Sequence, residues 1–229
     1  PNNNMGVTID SSPEYIISAV DKSLERLNIE SIDLYYLHRR DPDVPINETM
    51  DAMKQLKSSG KIKSIGLSEV SSKTIIEANS IVKVDALQSE YSLWSRDVEK
   101  EILPTCIDLG IKFYSYSPMG RGFLTGKLTK EIINQEGDLR KNLPRFQDEA
   151  FDSNQLLIKK IEGVANKYNA TSAQITLAWL LAQNELVHVI PGSRSNNHLL
   201  ENFESGDISL KSTDVEFLSE VFNLNDIHG

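Results

Sequence analysis

A single cysteine, Cys106, serves the whole 229-residue chain. No internal disulfide is therefore possible, and a reducing compartment, the cytoplasm, is the expected setting. No apolar run approaches the roughly 18 residues of a membrane-spanning helix, so no membrane segment is expected. Pro1–Asp10 is polar and carries no signal-peptide pattern. Basic residues are in deficit: 24 Lys and Arg against 33 Asp and Glu leave a net charge of -9. That balance argues against a nucleic-acid or anionic-membrane surface, and an anionic ligand would need a local basic device. No Asn-Gly turn separates apolar runs, so hairpins are not expected. No G-x-G-x-x-G follows an early strand and no G-x-S-x-G occurs, which counts against a Rossmann site and a hydrolase nucleophile elbow.

What is present is alternation. With 39% hydrophobic residues the chain can bury a real core, and with no repeat or clear linker it reads as one domain over 1–229. Ser12-Pro13-Glu14 opens a helix carrying Ile16, Val20, Leu24 and Leu27. Strand 32–37 ends at His38. Ile46, Met50, Met53 and Leu56 mark a helix closed by Gly60. Strand 63–67 ends at Ser68-Glu69, and Ser72 is the expected cap of the next helix, with Ile75, Ile76 and Ala78. Strand 85–88 follows. Val98, Ile102, Cys106 and Leu109 suggest a helix closed by Gly110, leading into strand 111–115. A long loop is expected over 117–152, a helix over 153–168, and a capping box at Thr171 and Gln174. A second box is expected at Thr213 and Glu216, before Val215, Leu218, Val221 and Phe222. Strand–helix alternation implies a parallel sheet with right-handed crossovers. A doubly wound open sheet and a (β/α)8 barrel both fit it. Polar residues at the strand ends suit the catalytic face of a barrel.

Val187-His188-Val189-Ile190 reads as a short buried strand, stopped by Pro191-Gly192. Ser195 then offers a helix N-cap. A strand, a glycine turn and a helix start present free backbone N–H groups and the positive end of a helix dipole, a place for a phosphate. Arg194 can add a forked donor for the same anion.

Five motifs occur in one order, each at a strand end: Leu34-Tyr35-Tyr36-Leu37-His38, Gly66-Leu67-Ser68-Glu69, Gln88-Ser89-Glu90-Tyr91-Ser92-Leu93-Trp94, Tyr116-Ser117-Pro118-Met119-Gly120-Arg121-Gly122 and Pro191-Gly192-Ser193-Arg194. In that order they resemble the aldo-keto reductases, most closely the branch with the YakC-type and pyridoxal reductases, from about residue 13 to 224. The resemblance implies a (β/α)8 TIM barrel binding NADPH across the strand C-termini. It implies hydride transfer to a small aldehyde or ketone, followed by protonation of the oxygen by a Tyr tuned by a Lys and an Asp. By position His38 matches the His that orients the carbonyl, as a neutral hydrogen-bond donor. Ser68 and Gln88 match residues that hold the nicotinamide carboxamide. Tyr116 matches the aromatic stacked on the nicotinamide. Ser117, Met119, Gly120 and Gly122 would line the pyrophosphate. Arg194 matches a basic position that reaches the 2′-phosphate, which Ser193 would share; Gly192 is the cofactor-binding glycine beside them, and His198 stands where many relatives have Arg. Glu201 and Asn202 match residues near the adenine ribose and base. Glu69 stands where many relatives have Asn. The segment Gly137-Asp138-Leu139-Arg140 to Pro144-Arg145-Phe146 resembles a loop that folds over cofactor or substrate. No metal ligands are assigned. The same fold also serves as a catalytically silent nucleotide-binding scaffold in some relatives, and an unrelated hydrolase or aldolase barrel is a third reading.

The resemblance begins at the third helix of the barrel. The five strands match strands four to eight, and the catalytic Asp, Tyr and Lys have no counterpart. The expectation is a partial or truncated barrel with little turnover of its own. Five parallel strands cannot close a barrel, and exposing ~300 Å2 of apolar surface costs on the order of 7 kcal/mol. Such a chain is expected to be unstable or to pair its edges with another chain.

Overall fold

A computed structural model describes residues 8–222. Helix α1 (Pro13–Leu27) starts where its cap requires: the Ser12 side chain accepts a hydrogen bond from the Tyr15 N–H, and Pro13 occupies the first turn. Strand β1 (Ile32–Leu37) follows, then α2 (Ile46–Ser58), which buries Ile46, Met50, Met53 and Leu56. Next come β2 (Ile62–Ser68), α3 (Ser72–Ile81) and β3 (Ala86–Glu90). Helix α4 (Ile102–Asp108) and β4 (Lys112–Tyr116) lead to a region of short helical turns around α5 (Lys130–Ile133). The chain then forms α6 (Asp148–Tyr168), α7 (Ser172–Leu181), β5 (Val187–Val189), α8 (Asn196–Glu204) and α9 (Ser212–Val221).

The five strands are hydrogen-bonded in chain order, β1-β2-β3-β4-β5. The β1–β2 and β2–β3 pairs are parallel, with Leu37 opposite Leu67 and Ser68 opposite Gln88. A doubly wound sheet reverses strand order at a switch point; this order does not reverse, as in a barrel. The chain forms two compact units, Pro1–Ser89 with Glu99–Tyr114, and Glu90–Val98 with Ser115–Gly229. The first packs Val20, Met50, Met53, Ile65, Leu67, Ile75, Leu87, Cys106 and Phe113 out of contact with water. The second is built on rings: Trp94 stacks on Phe123 at 4.3 Å and meets Phe146 edge-on at 5.3 Å. Tyr91 packs edge-on against Trp179 at 5.8 Å. Among the described residues no helix is long and apolar enough to cross a membrane.

Several local expectations are corrected. The cap of α3 is Ser71, not Ser72; its side chain accepts from the Thr74 N–H. The helix expected from Val98 is split into a 3-10 turn, Asp97–Glu99, and α4. Pro104 lacks an N–H and is tolerated only in a first helical turn, so the α-helix cannot extend back to Val98. Residues 117–152 are not a featureless loop: they hold the 3-10 turns Gly120–Thr125, Leu139–Asn142 and Pro144–Phe146 as well as α5. Helix α6 begins at Asp148, five residues before the expected Ser153. The Thr171–Gln174 capping box forms, with both reciprocal bonds. The Thr213–Glu216 box does not, because α9 already starts at Ser212 with Lys211 as its cap. The run Val187–Ile190 is not a buried strand: β5 is an edge strand, only Val187 is buried, and Ile190 is 41% exposed.

Candidate functional site

In the first unit the expected residues gather at the C-terminal ends of β1 and β2 and at the middle of β3. His38 follows the last residue of β1 and is exposed. Ser68 ends β2, is buried, and lies opposite Gln88 of β3 in the parallel register. Arg39, half-buried, joins two of these positions. Its Nη1 donates to the His38 carbonyl at 2.7 Å and to the Ser68 hydroxyl at 3.0 Å. Glu69 has φ 54, a left-handed value that Asn tolerates better than Glu. Its N–H donates to the Gln88 carbonyl, and its carboxylate accepts from the Ser89 hydroxyl at 2.8 Å. Tyr36 lies against Gly66: a Cβ on that glycine would come within 2.4 Å of the ring. Burial, with a smaller contribution from Tyr114, pushes the Tyr36 phenol up to about 12, and burial also raises Tyr35. A tyrosine meant to release its proton near neutrality needs the opposite shift.

In the second unit a cavity of about 690 Å3 is lined by Ser117, Met119, Gly122, Gly192, Ser193, Arg194 and His198. Seven expected cofactor residues thus share one wall. Arg121, Lys127 and Arg140 line it too, and no acidic residue does. The turn that forms its floor is unusual backbone: Ser117, Gly120, Arg121 and Gly122 all have positive φ. Gly120 lies beneath rather than in the lining; a Cβ there would meet Trp94 at 2.8 Å. The N–H groups of Gly120 and Gly122 are spent on the Ser117 and Met119 carbonyls, so these glycines contribute shape rather than donors. Gly192 takes no left-handed φ, and a Cβ there would meet nothing within 4 Å. Ser195 caps α8, accepting from the His198 N–H at 3.2 Å. Its own N–H donates to the Ser193 hydroxyl.

A strap closes on this turn. Arg140 Nη1 donates to the Arg121 carbonyl at 2.9 Å, and its Nη2 pairs with Asp138 at 2.6 Å. Hydrogen bonds from Arg140, with weaker attraction from Arg194, hold the Asp138 carboxyl down at about 2. Tyr116, at the end of β4, donates from its hydroxyl to Glu90 at 3.5 Å, and Glu90 also pairs with Arg121 at 3.4 Å. Glu201 and Asn202 lie on α8 outside that lining. Their Oε1 and Nδ2 atoms are buried with no hydrogen-bond partner, one acceptor and one donor left over.

The second unit also brings an Asp, a Tyr and a Lys together. Asp214 accepts from Lys167 at 2.6 Å and from the Tyr168 hydroxyl at 2.8 Å. This trio is not a proton-donating site. The Tyr168 oxygen also accepts from the Lys211 N–H, and burial and the carboxylate raise its pKa rather than lower it. It staples α6 to the start of α9.

The Aldo/keto reductase family profile matches residues 2–222. The chain belongs to the aldo-keto reductase family. It is 44% identical over 221 residues to a probable aldo-keto reductase 1 of Glycine max, a match spanning 96% of this chain and 64% of that protein. It is 39% identical over 226 residues to the aldo-keto reductase yakc [NADP(+)] of Schizosaccharomyces pombe, spanning 97% of this chain and 66% of the other. The chain therefore spans a little under two thirds of the length of these relatives. Its fold superposes on the glycerol dehydrogenase AKR11B4 of Gluconobacter oxydans with a TM-score of 0.89 at 28% identity, over 96% of this chain and 67% of that one. The α/β fold of this chain is thus of the (β/α)8 type, with a five-stranded sheet among the described residues.

Arg39 and Lys127 were not among the residues expected at the site, whereas Arg140 lies in the 137–146 segment expected to fold over cofactor or substrate. Arg39 had a signal, being the neighbour of His38 at a strand end. Lys127 had none, because nothing in the sequence says that the residue after Gly126 turns back toward Arg194.

Proposed function

We propose that this chain is the NADPH-binding part of a carbonyl reductase. The observation that carries the reading is the cavity of the second unit. It sets Arg121, Lys127, Arg140 and Arg194 around one space with no acid in the lining, in a chain of net charge -9. A concentration of cations against the overall charge fits a ligand with several phosphates. Arg194 and Ser193 would hold the 2′-phosphate, and the Ser117–Gly122 turn the pyrophosphate. The leftover acceptor of Glu201 and donor of Asn202 would face an aminopurine edge, which offers one of each. Tyr116 would stack on the nicotinamide, and Ser68 and Gln88 would hold its carboxamide. That the yakc relative carries NADP(+) in its name supports the choice of dinucleotide.

When bound, the reduced dinucleotide supplies a hydride to a substrate carbon. The chain's own work is then orientation and charge stabilisation. An N–H of the exposed His38 ring would donate to the carbonyl oxygen of a small, pyridoxal-like aldehyde or ketone, meeting negative charge as it develops. Tyr35, Tyr36 and Tyr168 are shifted upward, with burial as the first cause, which is the wrong direction for a proton donor near neutrality. The chain by itself is therefore expected to bind the dinucleotide with little turnover, whether its setting is a soluble reductase of the cytoplasm or a silent nucleotide-binding protein.

The test is a fluorescence titration of the full chain with NADPH and NADH. Expected are saturable binding of NADPH, at least tenfold weaker binding of NADH, and loss of that preference in Arg194→Glu. Equal affinities for the two dinucleotides, or no effect of the charge reversal, would overturn the assignment of the phosphate end.

A further inference from the structure

The Ser68 hydroxyl poses a question of polarity. A hydroxyl carries one proton and two lone pairs. Ser68 is buried, and the one hydrogen bond its side chain makes is as acceptor, from Arg39 at 3.0 Å. Its proton has no acceptor among the described residues. A covered donor left without a partner is costly, so the position calls for an incoming oxygen. The two protons of Arg39 Nη1 are spent in two directions, on Ser68 and on the main-chain carbonyl of His38 at 2.7 Å. The cation occupies a lone pair of Ser68, which leaves the O–H as the group turned to a ligand. It also ties the end of β2 to the end of β1.

We propose that Arg39 is a positioning residue, which fixes the Ser68 hydroxyl as a donor to the carboxamide oxygen of a bound nicotinamide and holds it in register with His38. The proposal rests on the reading of Ser68 as a carboxamide contact. It extends that reading by naming the group that sets which way Ser68 faces. Both bonds leave one nitrogen, so a lysine Nζ at 39, with three protons, could replace them in part.

The experiment compares NADPH with 2′,5′-ADP, which carries the adenine and 2′-phosphate but no nicotinamide, on the full chain and on Arg39→Met, Arg39→Lys, Ser68→Ala and Arg39→Met/Ser68→Ala. Circular dichroism and melting temperature confirm that each variant is folded. Expected for Arg39→Met is about tenfold weaker NADPH binding, the size of one charge-assisted hydrogen bond, with 2′,5′-ADP unchanged. Arg39→Lys should recover part of the loss, and the double variant should bind NADPH no worse than Ser68→Ala alone. Equal weakening of both ligands, additive losses in the double variant, or unchanged NADPH affinity in a folded Arg39→Met would overturn the proposal while leaving the dinucleotide reading intact. A wild-type chain that binds 2′,5′-ADP and NADPH equally well would remove the nicotinamide contact and the role of Arg39 with it. Binding of neither ligand would remove the whole dinucleotide reading.

Discussion

Tyr36 and Gly66 face each other across β1 and β2, and the ring occupies the space that any Cβ at 66 would need. Gly66→Ala is therefore expected to destabilise the chain by about 2 kcal/mol, in the range of overpacked cores, and Tyr36→Ala in the same background should recover part of it. Thermal denaturation of the single and double variants checks both. A second residue-scale expectation concerns Asp138. Its carboxyl is held at about 2 against an ordinary 3.8. A depressed carboxyl stabilises the fold above the ordinary value and loses that contribution as pH falls through the lower one. The strap at 138–142 should thus stay closed down to about pH 4 and open between about pH 4 and 2. Hydrogen exchange of this segment as a function of pH reads it directly. Asp138→Asn should remove that pH dependence. At this scale the sequence was readable as to position: His38, Ser68 and Tyr116 lie at or just past the ends of β1, β2 and β4, while Gln88 sits mid-strand in β3. The Arg39 bridge was not readable, because it depends on the side chain crossing from one strand to the next.

Elements were legible in proportion to how local their determinants are. The Ser12 cap, the Thr171–Gln174 box and the glycine stops are decided within a few residues, and each formed where expected. The box at Thr213 and Glu216 had the same spelling but lost to context. Asp214 is buried, bound by Lys167 and Tyr168 from α6, and that anchor places it in the first turn of a helix already begun at Ser212. The two threonines therefore make a matched pair. Thr171→Ala should cost about 1 kcal/mol, the usual value of an N-cap, whereas Thr213→Ala should fall within about 0.5 kcal/mol of wild type, as for an ordinary surface change. Urea denaturation of both variants decides it. The turns of 117–152 were least legible because their backbone is set by positive-φ positions and by Arg140 reaching back to residue 121. Neither leaves a periodic pattern.

For the molecule as a whole, seven of the large apolar side chains left in water belong to elements next to the terminal strands of the sheet, while others, such as Ile76, Leu139 and Leu156, do not. Tyr15, Leu27 and Ile29 are exposed in the elements around the β1 edge, and Ile190, Leu199, Leu200 and Phe203 in those around β5. A ligand that binds only the folded chain raises its stability by mass action. NADPH at 100 times its dissociation constant should contribute about 2.7 kcal/mol, read as a rise in melting temperature that Arg194→Glu reduces. The placement of three particular side chains makes a finer measurement possible. Both tryptophans, Trp94 and Trp179, belong to the second compact unit, and the lone thiol, Cys106, is sealed inside the first. Indole emission and maleimide labelling are therefore native reporters on separate halves, with no engineered dye. Superimposable denaturation curves from the two signals would mean that the halves melt as one cooperative body, and a gap between them would measure how far one outlasts the other.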